Sequence, residues 1–162
     1  MADKVFRILF ICTGNSARSI LAEGLMNEMG KGRFKAYSAG SHPKGEPHPM
    51  ALQELRSLRI PTDGLRSKSW DEFAQGQAMD FVFTVCDQAA GEMCPVWPGH
   101  PMTAHWGMPD PAAVQGSDDI RRQAFHDAAI TLKRRLELLL ALSMQQLDAI
   151  ALKHEVRHIG SR

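Results

Sequence analysis
Residues 4–30, KVFRILFICTGNSARSILAEGLMNEMG, constrain the fold more than any other stretch. The run KVFRILFIC is mostly apolar and reads as a strand buried on both faces. Small and polar residues follow, TGNSA, with almost no bulk. A helical pattern comes next, with Ile20, Leu21, Leu25, Met26 and Met29 at turn spacing and Gly30 as a stop. A strand, a tight loop and a helix in that order form the first half of a βαβ unit, and strands buried on both faces belong to parallel sheets.

The rest of the chain continues the alternation. RFKAYSAG (33–40) predicts a second strand, and MALQELRSLRI (50–60) predicts a helix. A short helix is expected within 65–75, capped by Ser69 with Glu72 at the capping-box position. MDFVFTVCD (79–87) predicts a third strand and TAHWG (103–107) a fourth, separated by a Pro- and Gly-rich loop. A long amphipathic helix over 117–142 starts at Ser117, with Ile120, Ala124, Ala128, Leu132, Leu136 and Leu139 as its buried stripe. The expectation is an α/β fold: a three-layer, doubly wound, parallel four-stranded sheet with helices on both faces. Residues 1–142 form one domain and 143–162 a helical tail. Right-handed crossovers would bring Cys12, Cys86 and Asp110 to one sheet edge, where such folds bind ligands.

The loop Cys12-Thr13-Gly14-Asn15-Ser16-Ala17-Arg18-Ser19 sits at a helix start. Unpaired N–H groups and the positive end of the helix dipole make that position an anion site. Small residues let the backbone curl into a nest, and Asn15 suits a left-handed turn. Arg18 supplies a two-pronged donor. The same field favours Cys12 as a thiolate, with Ser19 available to donate to the sulfur.

Bulk properties narrow the partners. Nineteen basic and eighteen acidic residues leave a net charge of +1, which gives no footprint for nucleic acid or membrane. The apolar run near the N-terminus is too short for a signal peptide, and LELLLAL is too short to span a bilayer. The cytoplasm is the default location. The three cysteines are expected to be reduced there, and their spacing forms no zinc-binding pair.

FICTGNSARS resembles the signature loop of the low-molecular-weight protein tyrosine phosphatase superfamily, and the Asp110-Pro111 pair is similar to that family's acid loop. AYSAGSHP (36–43) and SKSWDEF (67–73) extend the likeness. VCDQAAGEMCPVWPG (85–99) and HWGMPDPA (105–112) are most similar to the arsenate reductase branch. The resemblance implies a flavodoxin-like topology, Asp110 as the acid that protonates a leaving oxygen, and no bound metal or cofactor.

Phosphate and arsenate are nearly alike in shape and charge, so the loop does not choose between hydrolase and reductase. Phosphatases of this family usually carry tyrosine after Asp-Pro. Here Ala112 follows, and Tyr37 is the only tyrosine. Reduction needs two electrons, and two thiols becoming a disulfide supply them. The resemblance implies a relay in which Cys12 attacks arsenate, Cys86 attacks Cys12, and Cys94 clears the resulting bridge. An external donor, thioredoxin or glutaredoxin with glutathione, then reduces Cys86–Cys94. Some thioredoxin-coupled relatives hold potassium beside the loop through Asn, Glu, Ser and Asp. Asn15, Glu23 and Ser38 match, but the fourth position is Lys68, whose ammonium is expected to take the cation's place. The sequence HEVRH (154–158) matches a zinc-protease pattern but lies too near the end of this sequence to complete a site; a solvated helix face is expected instead.

Overall fold
Hydrophobic β-branched and aromatic runs make the centre of the molecule, and the computed structural model describes residues 5–74, 78–85, 102–143, 145–147 and 149. The elements are β1 (Phe6–Cys12), α1 (Arg18–Met29), β2 (Phe34–Gly40), α2 (Pro49–Ser57), α3 (Asp71–Ala74), β3 (Phe81–Thr84), β4 (Met102–His105), a 3-10 turn (Pro111–Ala113) and α4 (Asp118–Leu140). All strand pairs are parallel and the order is β2-β1-β3-β4. Ile8, Leu9, Phe10 and Ile11 on β1 are all fully buried, as expected of a central strand covered on both faces. The described residues therefore form the α/β fold that the sequence pattern predicts.

This order sends the connections after β1 and β3 in opposite directions. The crevice at the carboxyl ends of β1 and β3 is consequently the ligand position for such a sheet. Cys12 pairs with Gly40, and Thr84 lies opposite Ile11, so the three strand ends meet at one edge.

Two local expectations are corrected. Ile120 is exposed, and the buried stripe of α4 is Phe125, Ala128, Ala129, Leu132 and Leu136. A run of i+4 steps drifts around a helix by about 40° each, so Ile120 and Leu132 lie about 120° apart. Glu72 does not reach back as a capping box: Arg66 holds both its oxygens, at 3.0 and 2.6 Å, while Ser69 Oγ accepts from Asp71 N. Ser117 does cap α4, accepting from Ile120 N. Beyond α4, Leu147 is fully buried in the core.

Candidate active site
The loop from Thr13 to Ala17 leaves the end of β1 and enters α1 at Arg18. Among the described residues no side chain caps α1, and no acidic residue occupies its first turn. Its terminal N–H groups and dipole thus remain available to an anion. Asn15 adopts φ 45°, the left-handed turn expected of it.

Hydrogen bonds from outside fix the curl. His42 N donates to Thr13 O at 2.8 Å, Lys44 N to Gly14 O at 2.9 Å, and His48 N to Ser16 O at 2.8 Å. Ser67 Oγ adds a bond to Gly14 O. With these carbonyls drawn outward, the planar trans peptide turns the following N–H groups, of Gly14, Asn15 and Ala17, the opposite way. Asn15 N accordingly donates to Cys12 Sγ at 3.2 Å. The close fit also explains Gly40: a Cβ there would lie 2.5 Å from Thr13 O and 2.9 Å from Asn15 N.

Asn15 is fully buried and its side chain is fully engaged. Its Nδ2 donates to Ser19 Oγ (2.8 Å) and Ser38 Oγ (2.9 Å), and its Oδ1 accepts from Lys68 N (2.8 Å). Ser19 Oγ, which accepts from Asn15, lies 2.9 Å from Cys12 Sγ and donates to the sulfur when Cys12 is a thiolate, which can only accept. Two donors therefore converge on a buried sulfur, the arrangement that favours an anion there. Ser38 Oγ in turn donates to Glu23 Oε1. Lys68 Nζ stands 3.6 Å from the same oxygen, and donates to Arg66 O. Burial pushes the Glu23 carboxyl up, and the Lys68 ammonium opposes that shift; burial likewise pushes Lys68 down against the pull of Glu23. The ammonium thus sits beside the residues expected to surround a cation.

Arg18 reaches across the crevice. Its Nη1 donates to Met108 O (3.0 Å), its Nη2 lies 3.6 Å from Asp110 Oδ2, and its buried Nε has no partner among the described residues. Asp110 uses Oδ1 to accept from Ala112 N at 2.9 Å, capping the 3-10 turn. That bond aims Oδ2 back at Arg18. Asp110, distant in sequence, thus lies beside Arg18 of the loop that follows Cys12, while Cys86, expected at the same edge, is not among the described residues. Tyr37 is elsewhere, its ring on Phe73 with centroids 5.6 Å apart. Cys86 and Cys94 lie outside the described residues, as do His154 and His158. Sequence reading did not find the backbone splint of residues 42–48, because main-chain donors leave no residue-type signal.

The family model described as low molecular weight phosphotyrosine protein phosphatase matches residues 7–154. An arsenate reductase of Bacillus subtilis (strain 168) is 35% identical over 137 residues, covering 85% of this chain and 95% of that protein. Among solved structures, an arsenate reductase in the phosphate binding state aligns with TM-score 0.66 at 25% identity, covering 85% of this chain and 98% of the other. A low molecular weight protein tyrosine phosphatase from T. tengcongensis aligns with TM-score 0.63 at 22% identity, covering 82% and 98%. One fold thus serves proteins named for both activities, and the fold alone does not choose between them.

Proposed function
The chain belongs to the low molecular weight phosphotyrosine protein phosphatase family, and from that premise we propose that it reduces arsenate to arsenite with its own cysteine thiols. The observation that carries this reading is the geometry at Cys12. A buried sulfur receives Asn15 N and Ser19 Oγ at the foot of an uncapped helix, with Arg18 and Asp110 across the crevice. That site suits a tetrahedral oxyanion. The choice of arsenate rests on the arsenate reductases among the relatives and on Ala112, which leaves no aromatic wall after Asp110-Pro111 for a phenyl ester.

In the proposed cycle, the loop N–H groups and Arg18 hold arsenate while the Cys12 thiolate attacks arsenic. Asp110 gives its proton to a hydroxyl of arsenate, which leaves as water. Cys86, as thiolate, attacks the Cys12 sulfur. The sulfur–arsenic bond breaks with its electron pair going to arsenic, so As(V) becomes As(III) and two thiols become the Cys12–Cys86 disulfide. Cys94 then attacks Cys86 and frees Cys12. An external dithiol, thioredoxin or glutaredoxin with glutathione, reduces the Cys86–Cys94 bridge. Such a cycle suits the reducing cytoplasm.

Cys94→Ser tests the relay with each donor system in turn. The variant should release about one arsenite per chain and stall, with a Cys12–Cys86 disulfide visible by mass spectrometry after proteolysis. Sustained turnover with glutathione and glutaredoxin, and no such disulfide, would replace the relay by direct attack of a small thiol on the Cys12 adduct. Hydrolysis of an aryl phosphate without any arsenate reduction would instead favour a phosphatase.

A further inference from the structure
Asp110 is useful as an acid only if the chain before it is held still; Met108 and Pro111 are buried and the Trp106 ring packs on Phe83, and hydrogen bonds to the backbone complete that hold. Between the segment 107–114 and α4 lies an open groove of about 310 Å³, walled by Met108, Pro111, Val114, Ala124 and Ala128. A second, shallow groove of about 420 Å³ lies beside Trp106 and Gly107, against Leu138 and Leu142. Arg135 of α4 lines both grooves. Its Nη1 donates to Trp106 O at 2.8 Å and to Gly107 O at 3.3 Å. The next carbonyl, Met108 O, is held by Arg18 Nη1 at 3.0 Å. Three successive carbonyls leading to Asp110 are therefore gripped by two guanidinium groups, one from α4 and one from the anion loop.

The two grips differ in what else they must do. Arg18 turns its fork toward a bound oxyanion, which competes for the donors now on Met108 O and beside Asp110. Arg135 comes from α4 rather than from the anion loop, and its donor is engaged on Trp106 O and Gly107 O. We propose that Arg135 is the positioning residue that keeps Asp110 in place while Arg18 is occupied by substrate. Resting on the proposed arsenate reduction, this predicts a defect that appears in the chemical step and acts through Asp110. Small displacements of a reacting group cost on the order of 10²-fold in rate.

The test is a single-turnover series with reduced protein and arsenate: wild type, Arg135→Met, Arg135→Lys, Asp110→Asn and the Asp110→Asn/Arg135→Met double variant, each checked for folding by circular dichroism. Arg135→Met keeps the apolar stem and removes the donor. Its rate constant should fall about 10- to 100-fold while the half-saturating arsenate concentration changes less than about twofold. Arg135→Lys, with a single donor head, should recover part of the rate. Adding Arg135→Met to Asp110→Asn should cost little more, because the acid it positions is already gone. A full rate in Arg135→Met would overturn the proposal, as would losses that multiply in the double variant. If Arg135→Met does not fold, Arg135→Lys alone and combined with Asp110→Asn carries the same comparison. A wild type that forms no arsenite contradicts the proposed function rather than the clamp, and aryl phosphate hydrolysis then replaces arsenate in the series.

Discussion
At the scale of single residues, the hydroxyl of Ser19 is the most direct probe of the charge on Cys12. Asn15 Nδ2 donates to Ser19 Oγ at 2.8 Å, and Ser19 Oγ lies 2.9 Å from the sulfur, to which it donates when Cys12 is a thiolate. A hydrogen bond to a charged group contributes about 1.5–3 kcal/mol, or about one to two pH units of thiolate stability. Ser19→Ala should therefore move the midpoint of Cys12 alkylation by iodoacetamide upward by about one unit, read at the Cys12 peptide by mass spectrometry. An unmoved midpoint would mean that the hydroxyl does not serve the sulfur. Cys12, Arg18 and Asn15 were legible in the sequence because each residue type carries its own chemistry, whereas Asp110 entered through the strand order and the resemblance. Arg135 was not, since its partners are backbone carbonyls more than twenty-five positions away in sequence.

At the scale of elements, alternating strands and helices were readable from apolar spacing, and the parallel order follows from the alternation. The misplaced stripe of α4 came from extending an i+4 pattern too far along a helix whose true repeat is 3.6. His48 joins three elements at once. Its Nδ1 accepts from Met50 N and caps α2, its ring lies on Phe125 of α4 with centroids 4.7 Å apart, and its backbone N holds Ser16 O of the anion loop. Burial, then Arg121 and Lys44, push the imidazole below its usual range, and Asp110 opposes them. A depressed folded value means that the unfolded chain binds the proton first. The stability that His48 contributes is thus present above about pH 6.5 and lost as pH falls through the folded value. His48→Asn keeps an acceptor at the cap and removes the titration. Between pH 7 and pH 5 the melting temperature of the wild type should fall further than that of His48→Asn. Parallel pH profiles would contradict this.

At the scale of the whole molecule, the buried Lys68–Glu23 pair ties the segment after α2 to α1, and through Ser38 to β2. With an ammonium already beside Glu23, the protein should show equal activity and melting temperature in potassium and sodium at equal ionic strength. Lys68→Ala should lose about 3 kcal/mol or more by leaving a buried carboxylate unpaired, and potassium should restore part of it. A clear rise of the wild type with potassium would refute that assignment. These ties all serve one sheet edge, and the account stands or falls on what that edge does to arsenate. The most direct measurement mixes fully reduced protein, stripped of reductant and without any donor, with excess arsenate, and counts the arsenite formed. The account predicts about one arsenite per chain and none from Cys12→Ser, because two protein thiols supply two electrons. No arsenite from the wild type, with steady release of phosphate from an aryl phosphate by the same sample, would contradict it.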